Sequence, residues 1–117
     1  MSFRLSPSWK KTKMSKTIRP AERKTFAGSR DFGIEIRTMI QEFLRESEHV
    51  TVDLAGVEDM TPSFADECFG KLSEADGADI TASTVHVING EAFASLISAV
   101  IRVRLQHRRA TTRVAGR

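Results

Sequence analysis

Two hydroxyls flank a proline at Thr61, Pro62 and Ser63, and carboxylates stand on both sides at Asp53, Glu58, Asp59, Asp66 and Glu67. If a helix starts there, Ser63 could accept a phosphoryl group at the positive end of the helix dipole, a placement worth roughly 0.3–1 kcal/mol. Glu58, Asp59, Asp66 and Glu67 lie within five residues of it, and their like charge offsets much of that gain. Thr61 is the second candidate acceptor. The same residues also have a structural reading: Ser63 and Asp66 form a capping box, or Thr61 caps a helix that begins with Pro62, worth about 1 kcal/mol either way. Asp53 falls near the carboxyl end of a strand, where α/β sheets present their contacts, and could order the loop before Ser63. Arg30 and Arg37 are seven residues apart and share a helix face, able to bind an acidic surface or to remain solvated.

Other reactive side chains point away from catalysis. Cys68 stands between Phe64 and Leu72 at helical spacing, which suits a buried apolar role better than a nucleophile. His86 alternates with Val85 and Val87 and is expected on the surface. One cysteine and three dispersed histidines give no metal-ligand spacing. No GxxxxGK[ST] or GxGxxG loop occurs, and the many acids lack the apolar setting that separates catalytic pKa values. The expectation is a protein that is not an enzyme and needs no cofactor.

The elements that must position these residues follow from periodicity. Phe32, Ile36, Met39, Ile40, Phe43 and Leu44 recur at helical spacing, predicting a helix over residues 29–47 with Ser29 as cap. Val50, Val52 and Leu54 alternate with Thr51 and Asp53, predicting a strand that ends at Gly56. A short helix follows from Pro62 to Leu72, and Gly70 and Gly77 mark a loop. Thr84 to Ile88 reads as a strand, with Asn89 and Gly90 offering a cap to a helix from Glu91 to about His107. Residues 16–20 suit a short edge strand that Pro20 ends. The fold class is therefore α/β, with a mixed or partly parallel sheet of three to four strands and about three helices. Right-handed crossovers leave one face or edge of so small a sheet available, which points to a protein partner or a homodimer.

Length and charge bound the rest. The 117 residues, 40% apolar, suffice for one domain over residues 15–109, with a flexible basic arm at 1–14 and a basic tail at 110–117. Met14 would itself be a plausible start, so residues 1–13 are a candidate upstream extension. Residues 1–30 hold nine Lys/Arg against one acid, residues 31–100 three against fourteen, and residues 101–117 six against none. An acidic body thus carries basic ends. Lys10, Lys11, Lys13, Lys16, Arg102, Arg104, His107, Arg108 and Arg109 could neutralise phosphates, but no nucleic-acid-binding motif accompanies them, so nucleic acid is the alternative rather than the expected partner. The apolar run 92–101 is about half of the roughly 20 residues that span a bilayer. A single cysteine fits a reducing, cytoplasmic setting.

The order GSRDFGIEIRTMI, VTVDLAGV, TPSFADECFGKL and VHVING over residues 16–105 resembles the STAS-like domains of unknown function, bacterial relatives of the anti-sigma-factor antagonists. Gly28, Ser29, Arg30, Gly33 and Arg37 carry the first part of the likeness, and Asp53, Ser63, Phe64 and Glu67 the second. The resemblance implies a non-enzymatic regulatory module that docks on a partner such as a histidine-kinase-type ATPase; the residues expected here to make that contact are Asp53, Thr61, Ser63, Asp66, Glu67, Arg30 and Arg37. In the antagonists, a serine at the start of the helix after the central strand is phosphorylated. Here Pro62 takes that place, so the switch is moved to Ser63 or Thr61, or is absent.

Overall fold

The computed structural model describes residues 15–77, 81 and 83–115, with side chains of the last helix as far as His107. The arm expected at 1–14 lies outside the described residues. The chain runs β1 (Ser15–Ile18), β2 (Phe26–Ala27), α1 (Arg30–Glu46), β3 (His49–Asp53), β4 (Asp59–Met60), α2 (residues 62–76), β5 (Val85–Ile88) and α3 (Ala94–Ala115). Short 3-10 turns at Pro20–Glu22 and Glu91–Phe93 precede β2 and α3. The expected α/β class is the one observed, with α1, α2 and α3 as the main helices among the described residues.

Among the described residues, every strand pair is parallel. β1, β3 and β5 form one sheet in that order, and β2 pairs with β4 in a separate two-stranded ribbon. Because the order 1-3-5 never reverses, right-handed crossovers put α1 and α2 on the same face. The burial pattern agrees: Val50, Val52 and Val85 are buried, while His49 and His86 are exposed. The helical side holds one core, with Phe32, Ile36, Ile40, Phe64, Cys68 and Leu72 at 0–1% exposure.

Boundaries differ from the sequence reading at several points. β3 stops at Asp53, before the expected Gly56, because the Asp53 carboxylate accepts the Ala55 N–H and turns the chain. α2 does not stop at Leu72. It continues through a π-turn at Asp66–Gly70 into Lys71–Asp76, and Gly77 closes it by donating its N–H to Ser73 O at 2.8 Å. Gly70 is therefore a buried residue inside the helix and not a loop marker. Asn89 is not a side-chain cap for the last helix: it adopts φ 56° and turns its amide to Asp53 instead. Backbone helix in α3 persists to Ala115, well past the last periodic apolar residue.

Candidate functional site

α1 and α2 begin in the same way, side by side. The Ser29 hydroxyl accepts the Phe32 N–H at 3.1 Å, and the Thr61 hydroxyl accepts the Phe64 N–H at 3.2 Å. Each cap satisfies one of the four donors a helix start leaves orphaned. The two phenylalanines so placed meet with ring centroids 5.3 Å apart. The β2–β4 ribbon holds the starts together, since Thr61 donates its N–H to Ala27 O at 2.9 Å and its hydroxyl to Gly28 O at 3.1 Å. Thr61 is thus the cap, and Ser63 lies within the first turn, half-buried. A Ser63–Asp66 capping box does not form; the Asp66 carboxylate turns to Arg104.

Close helix contact brings the charged residues into register. A Cβ on Gly33 would stand 2.9 Å from Phe64 O and 2.8 Å from Glu67 Cβ, so α1 and α2 touch where only glycine fits. On the far side of α2, a Cβ on Gly70 would stand 2.8 Å from an Asp66 carboxylate oxygen and 3.1 Å from Arg104 Cγ in α3. The π-turn between them displaces the following side chains around the axis, a deviation often found at functional positions.

Glu67 is buried, yet three cations reach its carboxylate: Lys71 at 2.9 Å, Arg30 at 3.2 Å and Arg37 at 3.3 Å. Arg37 also donates to Glu67 O at 2.7 Å, inside the widened turn. The Lys71 hydrogen bond leads the arginines in holding this carboxyl below its usual range, against the opposing effect of burial. Asp66 takes a two-point clasp from Arg104, both bonds 2.7 Å, and a weaker contact from Arg30 at 3.3 Å. The Arg104 bonds chiefly lower the Asp66 pKa and raise that of Arg104. Arg104 and His107 extend the network to Glu74 at 3.5 and 3.1 Å. The acidic surface that Arg30 and Arg37 bind is therefore the chain's own.

Asp53 occupies a different corner. It accepts from Ala55 N–H at 3.0 Å and Asn89 Nδ2 at 2.9 Å and lies 3.6 Å from Arg19 Nε. The Asn89 bond is the main reason its pKa is lowered. It orders the turn after β3 and ties it to the loop after β5, not to Ser63. Cys68 is fully buried and burial drives its thiol pKa upward, so it is no thiolate nucleophile. Among the described residues, no group of three or more His, Cys, Asp and Glu could hold a metal ion. No described helix is long and apolar enough to cross a membrane.

Beside this network runs a groove of about 510 Å³ between the start of α2 and α3, lined by Ser63, Pro62, Leu96, Ala99, Val100 and Val103, with Arg30, Asp66, Arg104 and His107 also on its wall. Val103 is 61% exposed, so apolar surface faces water there. Sequence reasoning missed Lys71 and did not connect Arg104 with Asp66. The one available signal was the i,i+4 spacing of Glu67 and Lys71; contacts between α2 and α3 have no sequence signature.

A small α/β domain results, with its helices on one side of a parallel sheet and its charged residues gathered where two helices start together. A family model for the STAS-like domain of unknown function (DUF4325) matches residues 33–98, and the chain belongs to that family. No curated protein and no solved structure matches the chain.

Proposed function

We propose that the chain is a non-enzymatic regulatory module that binds a protein partner, a histidine-kinase-type ATPase, through the groove between α2 and α3. The observation that carries this reading is the composition of the groove. An apolar floor of Leu96, Val100 and Val103 is walled by charged side chains, the pattern of a protein-binding surface with a dry centre and a polar rim. Ser63 lies in the same groove as Arg30 and Arg104, which are both engaged by Asp66. A phosphate on Ser63 competes with Asp66 for those guanidinium groups and adds charge to the apolar floor. Binding and modification are thereby exclusive.

The test is calorimetric titration of a histidine-kinase-type ATPase from the same host into the unaltered protein and into Ser63→Asp. Saturable binding that weakens on the order of tenfold in Ser63→Asp is the expected result. Equal affinity of the two proteins removes the switch. Binding that survives Val103→Glu and Leu96→Glu moves the contact away from the groove.

A further inference from the structure

The outer face of the three-stranded sheet carries a second constellation that the groove does not use. Val50 and Val52 point to the helical core, so His49, Thr51 and Asp53 point outward from β3. On β5, Val85 faces the core and His86 points outward. The ladder sets Thr51 opposite His86, which leaves His49 one side-chain step along β3 on a diagonal from His86. The imidazoles close that diagonal: His49 Nδ1 and His86 Nε2 are 3.3 Å apart, with ring centroids 5.3 Å apart and planes 35° from parallel. Both rings are exposed, so an ion reaches them without any opening of the fold.

We propose that His49 and His86 form a two-histidine chelate for a borderline divalent cation of the zinc, copper or nickel class. Two nitrogens each about 2.0–2.1 Å from a tetrahedral ion stand roughly 3.3–3.4 Å apart, the separation these rings already have. Imidazole suits that class of cation rather than calcium or magnesium, which prefer oxygen. The chain supplies two ligands and water fills the remaining positions. The two backbones are fixed by adjacent strands of one sheet, so little order has to be gained on binding. A bound ion would bridge β3 to β5 from the outside and stabilise the native sheet by mass action.

Zinc chloride alone is the probe, titrated by calorimetry into the untagged full chain, with thermal melting followed in parallel. One ion per chain and a higher melting temperature are expected. His49→Ala and His86→Ala should each weaken binding by at least about tenfold, the smallest loss that even an outer partner of a metal ligand causes. His107→Ala, in which the altered histidine sits on α3 beside Glu74, should bind as the unaltered chain does. Because His49 and His86 are exposed, both variants should stay folded, and circular dichroism with the Gln substitutions at each position checks this independently. Absence of saturable binding overturns the site and leaves the rings as a hydrogen-bonded pair. Unchanged affinity in either single variant overturns it as well.

Discussion

The two seams of α2 differ in what they press together. Against α1, Gly33 meets the backbone oxygen of Phe64 and the Cβ of Glu67, atoms that cannot move without moving the helix. On the side facing α3, a Cβ on Gly70 would meet a carboxylate oxygen of Asp66, from α2 itself, and the Arg104 Cγ methylene of α3, side-chain atoms that can give way more easily than backbone. The charges follow the same division. Glu67 on the first seam is buried under three cations, whereas Asp66 on the second keeps partial access to water. One seam is built to stay closed, and the other joins side chains that can exchange partners. The groove proposed to take the partner lies along the second.

A substitution at each glycine breaks the comparison if the seams are in fact alike. Gly33→Ala should cost about 3 kcal/mol in urea unfolding, because overpacking against backbone is relieved only by separating the helices. Gly70→Ala should change stability by no more than about 1 kcal/mol, since the gain in helix propensity offsets the displacement of a carboxylate. Equal losses at the two sites would show that α3 is held as rigidly as α1.

Next in size is Glu67→Ala, expected to cost about 2 kcal/mol. That is less than the loss for a fully buried pair, because Arg30 and Lys71 regain water when their partner is removed. Arg37 is the exception, at 19% side-chain exposure, though it still has Glu67 O to donate to. A loss below about 0.5 kcal/mol would place Glu67 among ordinary surface pairs.

Acid should weaken both seams in a predictable direction. Arg104 lowers the Asp66 pKa and Lys71, with the arginines, lowers that of Glu67. Each carboxylate therefore contributes stability that is fully present above its ordinary value, 3.8 for Asp66 and 4.5 for Glu67, and is lost as pH falls through the lower folded value. Urea midpoints should fall as pH drops below those ordinary values. Asp66→Asn with Glu67→Gln should flatten that decline, at the cost of lower stability near neutrality. An unchanged acid profile in the double variant would assign the titration to other groups.

How much of this was legible in the sequence depended on the length over which a pattern repeats. α1, with six apolar residues at helical spacing and Ser29 before them, was read with its cap, and β3 was read to within one residue at its start, though it stops at Asp53 and not at Gly56. The ribbon of β2 with β4 was not, because two residues per strand give no period to detect, yet it sets the two helix starts together. Gly70 misled for a physical reason: glycine breaks helices on average, but here it sits inside one, facing the close approach of Arg104 from α3. Arg30 and Arg37 were placed on a shared face correctly, while their partner Glu67 depended on a contact across 37 and 30 residues. Asp53 was expected to order the loop before Ser63; it holds the start of that loop through the Ala55 N–H, and its tie to the Asn89 amide, made available by a left-handed backbone, had no signal in the sequence.

The smallest effects separate the two hydroxyls beside Pro62. Thr61 accepts the Phe64 N–H and donates to Gly28 O, so Thr61→Ala removes a cap and one of the two bonds by which Thr61 joins the helix starts. A loss of about 1 kcal/mol is expected, and Thr61→Ser should restore most of it because the hydroxyl is what the backbone uses. Ser63 is inside the turn that Thr61 already caps, so Ser63→Ala should stay within about 0.5 kcal/mol of the parent. This pair of results sharpens the division between the residue that holds the helix start and the one that faces the groove. Were Ser63→Ala to cost as much as Thr61→Ala, Ser63 would belong to the framework, and a phosphate there would unfold the helix start rather than regulate what it binds.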